Sequence, residues 1–143
     1  MPPSSRMADL ADWTVELTTG TEHFEAGEIA LRVRHGGSVE VDHRRAGDHR
    51  RYTGLLDADE LARFAEAMRE TGIDTLVSTR TEWATGEDTL RVEVRDGDAP
   101  VHRAEIPAGE RFDDERVGRV LRAYDEVVER VTEGRLPYGP AAY

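Results

Sequence analysis

Cysteine, lysine and long apolar runs are all absent from this chain of 143 residues. Without cysteine the protein forms neither disulfide bonds nor zinc sites with thiolate ligands. Without lysine it cannot contain the lysine-bearing loop that binds nucleotide phosphates in many enzymes. No apolar segment approaches the roughly 20 residues that a membrane-spanning helix requires, and the N-terminal Pro-Pro-Ser-Ser stretch is unlike a signal peptide. We therefore expect a cytoplasmic protein with no membrane partner.

The charge of the chain is strongly negative. Its 30 aspartate and glutamate residues outnumber 19 arginines, which gives a net charge of −11 at pH 7. A negative field of this size repels nucleic acid and anionic membranes and favours a basic protein partner. The same charge also serves simply to keep a protein in solution. Segment 28–56 is the exception, because it contains six arginines and four acidic residues.

The length and the apolar content indicate one domain. Apolar residues make up 38% of the chain, which is enough for a single core at this length. We expect a flexible tail at residues 1–9, one domain at residues 10–134 and a second tail, rich in proline and tyrosine, at residues 135–143.

The first half of the chain has the pattern of a strand meander. Apolar and polar residues alternate in several short segments, as is typical of strands with one buried face. Gly36-Gly37 and Ala46-Gly47-Asp48 favour tight turns between these segments. The segments begin near Trp13, Ile29, Val39 and Arg50.

Two helices are predicted from apolar residues that recur at positions i, i+3, i+4 and i+7. The first begins at Asp57, which has the spacing of a capping box with Glu60, and ends near Gly72. The second is capped by Asp113 and ends near Gly134.

A second hairpin lies between the two helices. Residues 90–95 alternate, Asp96-Gly97-Asp98 favours a turn, and residues 101–106 return. The order meander, helix, hairpin, helix predicts an α+β fold. We expect an antiparallel sheet of five to six strands with two helices packed on one face.

Arginine and histidine side chains cluster around the turn at residues 43–51. A guanidinium group is a planar donor suited to phosphate or carboxylate, so the cluster predicts a site for a phosphorylated ligand, RNA or an acidic partner. The alternative is that these arginines form ion pairs with neighbouring carboxylates of the chain. The candidate binding residues in this turn are Arg44, Arg45, His49, Arg50 and Arg51.

No catalytic motif is recognisable in the chain. None of its serines lies in a Gly-x-Ser-x-Gly turn, and its carboxylates are too numerous to single out an acid–base pair. His43, Asp48, His49 and Asp42 are of metal-binding types, but loop side chains of this kind are mostly solvated. We expect no catalytic residue, no metal and no cofactor.

Trp83 stands in a polar segment between the first helix and the second hairpin. A tryptophan in this position either covers the edge of the sheet or acts as an exposed anchor for a partner. The second hairpin is the expected edge of the sheet, and an open edge offers hydrogen-bonding groups to another chain. We therefore expect a homodimer in which Arg91, Glu93 and Arg95 meet their counterparts and Trp83 is the anchor, with a monomer as the alternative.

Four segments follow one another in a characteristic order: Leu31-Arg-Val-Arg-His-Gly-Gly37, Leu61-Ala-Arg-Phe64, Leu90-Arg-Val-Glu-Val-Arg-Asp-Gly97 and the helix from Asp113. This order of elements resembles that of the emfourin-type inhibitors of thermolysin-like metallopeptidases. The resemblance covers roughly residues 28–133 and implies a non-enzymatic domain that binds a protease. No functional residue is carried over, because no diagnostic motif matches.

We therefore expect a non-enzymatic protein-binding module, of the inhibitor or immunity type, that binds a protein partner through an acidic surface. Small acidic immunity proteins, which neutralise a toxin, are similar in size and charge. The alternative is a small-ligand-binding or enzymatic α+β domain that uses the Arg/His-rich turn at residues 43–51. That alternative requires a concave pocket beside the turn.

Overall fold

A computed structural model describes residues 7–20, 27–78 and 88–134 of the chain. Its strands are β1 (Trp13–Thr19), β2 (Glu28–Arg34), β3 (Ser38–Arg45), β4 (Asp48–Leu55), β5 (Thr89–Asp96) and β6 (Ala99–Pro107), and its helices are α1 (Ala58–Thr71) and α2 (Glu115–Thr132). The strands form one antiparallel sheet in the order β4-β3-β2-β1-β5-β6. The predicted α+β fold, with its meander, helix, hairpin and helix, is confirmed.

Strand β1 joins the two halves of the sheet. Most neighbouring strands are also neighbours in sequence, but β1 pairs with both β2 and β5. Leu17 of β1 lies opposite Leu31 on one side and Val92 on the other, and all three side chains are buried. The meander and the second hairpin therefore share one continuous apolar face.

Helix α1 begins and ends as the sequence predicts. The Asp57 carboxylate accepts a hydrogen bond from the Glu60 amide at 2.8 Å, and the Glu60 carboxylate accepts one from the Asp57 amide at 3.1 Å. This capping box satisfies two amide groups that would otherwise lack partners. At the other end Gly72 adopts the left-handed conformation, and the Ile73 amide donates to the carbonyl of Met68.

The start of α2 corrects the prediction by one residue, because Asp114 rather than Asp113 caps the helix. A short 3-10 turn, Ala108–Phe112, precedes it, and the Asp113 amide donates to the carbonyl of Glu110 at 2.9 Å. Asp113 therefore has helical backbone angles and cannot cap. Asp114 is extended, and its carboxylate accepts a hydrogen bond from the Arg116 amide at 2.9 Å.

The core lies between one face of the sheet and the two helices. Tyr124 of α2 is fully buried, its hydroxyl donates to the carbonyl of Ile29 at 3.2 Å, and it lies 2.9 Å from Thr19 Oγ1. Thr19 and Ile29 are register partners in β1 and β2, so this one side chain fixes α2 to two central strands. The other buried residues of the helices are Phe64, Met68, Thr71, Val117, Val120, Leu121, Val127, Val128 and Thr132.

The structured part reaches into the segment predicted to be an N-terminal tail. Met7–Asp9 form a short 3-10 turn, and the Met7 side chain is buried in the core. Residues 135–143 lie outside the described residues. Neither α1 nor α2, the helices that the structure describes, is long and apolar enough to cross a membrane.

Candidate functional site

The helices cover one face of the sheet, and within the described residues no element covers the other, which we call the open face. Every second residue of each strand points to this face. Its positions carry mostly charged side chains, whereas the opposite positions are largely apolar. The charged residues of the open face are Arg32, Arg34, Arg44, Arg51, Arg91, Arg95, Arg103, Glu16, Glu28, Glu40, Asp42, Glu93 and Glu105.

The charge of the open face differs from that of the whole chain. Its arginines slightly outnumber its carboxylates, although the chain has 30 acidic residues against 19 arginines. The acidic excess therefore lies elsewhere in the chain. The open face is a surface on which both signs of charge alternate.

Arg32 lies at the centre of the open face and connects three strands. Its Nη2 and Nε atoms donate to Glu16 Oε2 at 2.8 and 3.0 Å, and its Nη1 atom donates to Glu40 Oε2 at 3.1 Å. The hydrogen bonds with Glu16 make the largest contribution to a pKa of Arg32 above its usual value. Cross-strand pairs of opposite charge such as these stabilise a sheet and fix the positions of the side chains.

The same pattern continues towards β6. Glu93 of β5 accepts a hydrogen bond from Arg95 Nε at 2.6 Å and lies 3.5 Å from the guanidinium of Arg103. Arg91 lies 3.4 Å from the carboxylate of Glu28. Ion pairs thus extend across five of the six strands, and Asp42 extends them to the sixth.

Asp42 links the open face to β4. His49 Nε2 donates to Asp42 Oδ1 at 2.8 Å, and Arg51 Nε donates to the same oxygen at 2.9 Å. Partial burial opposes ionisation of Asp42, but the hydrogen bonds from Arg51 and His49 outweigh it and hold the pKa of this carboxyl below its usual value. The carboxylate is therefore ionised at neutral pH and keeps both β4 side chains close.

Replacing Arg51 by glutamine is expected to raise the pKa of Asp42, because a charged donor is lost. The folded-state pKa lies below the unfolded value of about 3.9. The carboxylate therefore stabilises the fold above that pH, and the contribution is lost as the pH falls through the folded-state pKa. NMR titration of the Asp42 carboxyl carbon measures the shift, with Arg50→Gln on the opposite face as the control. An unchanged Asp42 pKa in Arg51→Gln would show that His49 alone holds it.

A depression of about 370 Å³ lies in the open face. Ala30 and Thr18 have small side chains there, and the longer side chains around them form its walls. Apart from Ala30 and Val92, every lining residue is polar or charged. The charged lining residues are Glu16, Glu28, Arg32, Asp42, Arg44, Arg91, Glu93, Arg103 and Glu105.

The structure divides the predicted arginine cluster between the two faces of the sheet. The register of the β3–β4 hairpin places Arg44, His49 and Arg51 on the open face, and Arg45 and Arg50 on the opposite face. This division follows from strand alternation, because neighbours along a strand point in opposite directions. The alternative of local ion pairing occurs for Arg51, which pairs with Asp42, and His49 contacts the same carboxylate. Within the described part of the chain, Arg44, Arg45 and Arg50 make no ion pair.

Trp83 lies outside the described residues, so its role stays a prediction. The sequence pattern did not mark Glu16 and Arg103 as binding residues. The pairing of opposite charges at outward positions of neighbouring strands is the signal that identifies them, and it requires the strand order.

The metal-binding types noted near the turn are also divided. Asp42 and His49 lie on the open face, and His43 lies on the other. Among the residues that the structure describes, no group of three or more such side chains is arranged to hold a metal ion.

No protein-family model matches the chain, and no curated protein matches it either. The resemblance to emfourin-type inhibitors therefore stays a prediction.

Proposed function

We propose that the chain is a non-enzymatic protein-binding module, of the inhibitor or immunity type, whose partner binds to the open face of the sheet. The observation that carries the proposal is the network of ion pairs that holds long charged side chains in place across this face. Side chains that are ordered before binding lose less conformational entropy when a partner arrives. An alternating charge pattern also gives specificity, because a partner must present the complementary pattern.

The size of the open face suits a protein contact. Six strands spaced by about 4.8 Å, with about seven residues each at a rise of about 3.4 Å, span on the order of 600 Å². A specific protein complex typically buries about 800 Å² on each partner. The sheet face and its rim together are therefore large enough for a complete interface.

The small-ligand alternative has one observation in its favour, the depression of about 370 Å³ beside Arg44. Its volume falls in the range of small-molecule sites, but such sites are lined mostly by apolar side chains with few polar groups. This depression is lined almost entirely by charged and polar residues, and it lies on the open face instead of between the sheet and the helices. A protein surface with complementary charges fits it better than a small molecule does.

The charge of the surface outside the open face favours one class of partner over another. The acidic residues outside the open face repel polyanions, which favours a protein over nucleic acid. The sequence predicted an acidic contact surface, whereas the open face is balanced in charge, so the contact proposed here is not an acidic one.

Site-specific photocrosslinking in cells of the native host tests the proposal. A photoreactive amino acid is placed at Ala30, in the depression, and in a matched variant at Ala62, an exposed position of α1. We expect a defined protein adduct from position 30 that is absent from position 62, with the adduct identified by mass spectrometry. An adduct formed from position 62 alone, or no protein adduct from position 30, would contradict the proposed contact surface.

A further inference from the structure

We propose that the edge of β4 binds an acidic, extended segment of the partner protein as an additional strand of the sheet. This inference rests on the protein-binding function proposed above and specifies one part of the contact. Three observations carry it. The edge of β4 pairs with no described strand, arginines without ion pairs lie near it on both faces of the sheet, and the charges there disfavour a second copy of the chain or a nucleic acid.

The backbone of β4 is available for pairing. The sheet order places β3 on one side of β4 and no described strand on the other. A two-residue turn joins β3 to β4, with positive φ angles of 49° at Ala46 and 89° at Gly47. Arg45 and Asp48 flank this turn and form a hydrogen-bonded pair. In an antiparallel hairpin such pairs alternate with non-hydrogen-bonded pairs, whose amide and carbonyl groups point away from the partner strand.

The alternation fixes which groups of β4 face the open edge. His49, Arg51 and Thr53 stand at the non-hydrogen-bonded positions, so their amide and carbonyl groups point away from β3. All three residues are exposed. An extended peptide can therefore form the alternating main-chain hydrogen bonds of a β-ladder with this edge.

The side chains around this edge are basic. Arg45 and Arg50 are exposed on one face, Arg44 is exposed on the other, and none of the three makes an ion pair within the described residues. Arg51 and His49 share the single carboxylate of Asp42. A segment with acidic side chains on both of its faces would have Arg50 on one face and Arg51 on the other as cross-strand neighbours. Arg44 and Arg45 lie one strand further, on β3.

The opposite edge of the sheet lacks these properties. Strand β6 contains Pro100 and Pro107, and its pairing with β5 has an irregularity next to Arg95. Prolines and bulges on an edge strand hinder the addition of another strand. The charges of β6 that point to the open face, Arg103 and Glu105, cancel. Strand addition is therefore favoured at β4.

The charges also decide between occupants of the β4 edge. A second copy of the chain paired in antiparallel register about Arg50 would place His49, Arg50 and Arg51 beside the same residues of its partner, and like charges in direct opposition are destabilising. A nucleic acid would be repelled by the net charge of −11. An acidic segment added to β4 would lie within about 8 Å of the basic side chains. Over that distance salt does not fully screen the attraction between opposite charges.

Fluorescence anisotropy with a labelled synthetic peptide tests the inference on the full chain. The probe is a short peptide of repeated Glu-Glu-Val-Val, which places glutamates on both faces of an extended strand, and its counterpart carries lysine in place of glutamate. We expect the glutamate peptide to bind and the lysine peptide to bind at least roughly tenfold more weakly. The double variant Arg45→Glu with Arg50→Glu is expected to weaken binding by a similar factor. The control, Arg63→Glu with Arg122→Glu on the helices, adds the same charge and is expected to change it less than about twofold.

Backbone methylation separates strand addition from simple charge attraction. Two isomeric glutamate peptides are compared, one with N-methyl groups on its odd-numbered amides and the other on its even-numbered amides. Because the amides of an extended strand point alternately to its two edges, each peptide has lost the hydrogen-bond donors of one edge only. We expect one isomer to lose binding and the other to retain it, because a ladder uses one edge of the added strand. Any other pattern with the two isomers overturns the inference.

Two further results would also overturn it. One is binding of an RNA oligonucleotide as tight as that of the glutamate peptide. The other is self-association of the chain at micromolar concentration in analytical ultracentrifugation that is abolished by Arg45→Glu with Arg50→Glu. If the glutamate peptide does not bind but position 30 still forms a protein crosslink, strand addition is refuted and the proposed function is left intact. If the glutamate peptide binds but position 30 forms no protein crosslink, the open-face contact is refuted instead.

Discussion

Replacing Tyr124 by alanine is expected to lower the free energy of unfolding by about 3–5 kcal/mol. The side chain is fully buried, so its removal leaves a cavity between α2 and the sheet. The change also removes the hydroxyl that donates to the carbonyl of Ile29 and lies beside Thr19 Oγ1. Because a domain of this size is stable by about 5–15 kcal/mol, this single change removes a large share of the total.

The variant Tyr124→Phe separates the two contributions. It keeps the ring and removes only the hydroxyl, so we expect a loss of about 1–2 kcal/mol. Urea denaturation followed by circular dichroism measures both variants. Equal losses for alanine and phenylalanine would show that the hydrogen bonds, and not the packing of the ring, hold α2 to β1 and β2.

Replacing Gly27 by alanine is expected to lower the free energy of unfolding by about 3 kcal/mol and to displace the end of the β3–β4 hairpin. Gly27 precedes β2 with a φ of +82°, and an added Cβ would stand 2.5 Å from the carbonyl oxygen of Arg44 and 2.9 Å from Cβ of Arg45. The backbone of the basic hairpin must therefore move away from β2. The left-handed conformation adds its own cost for any residue with a side chain.

Gly47→Ala is the matched control for this prediction. Gly47 also has a positive φ, of +89°, but an added Cβ would meet nothing within 4 Å. We expect a loss of about 1 kcal/mol, which is the conformational cost alone. Thermal denaturation of both variants and the amide chemical shifts of β3 provide the comparison. A loss for Gly27→Ala no larger than that for Gly47→Ala would show that the close approach of Gly27 to Arg44 is not a constraint.

Local patterns predicted most of the individual elements. Asp57 and Glu60 have a spacing that only a helix start explains well, and the structure shows both of their hydrogen bonds. Alternation of apolar residues likewise located the strands. The cap of α2 was predicted at Asp113, since nothing in the local sequence reveals the 3-10 turn that shifts it to Asp114.

The order of the strands was not predictable in the same way. The pairing of β1 with β5 joins residues more than 70 positions apart, and no short motif encodes such a contact. The open face depends on this pairing, because Glu16 on β1 lies between Arg32 on β2 and Glu93 on β5. The division of the arginine cluster between the two faces of the sheet could have been predicted from the sequence, since Arg44 and Arg45 are adjacent residues of a strand.

The affinity of the partner identified by crosslinking, measured by isothermal titration calorimetry, shows whether that partner binds the open face. The comparison uses Arg44→Glu with Arg103→Glu, at opposite ends of the depression, and Arg63→Glu with Arg122→Glu on the helices. All four arginines are exposed, and both pairs change the net charge equally. Binding on the open face predicts a loss of roughly a hundredfold for the first pair and less than about threefold for the second. Equal losses, or a larger loss for the helix pair, would show that the partner does not bind the open face.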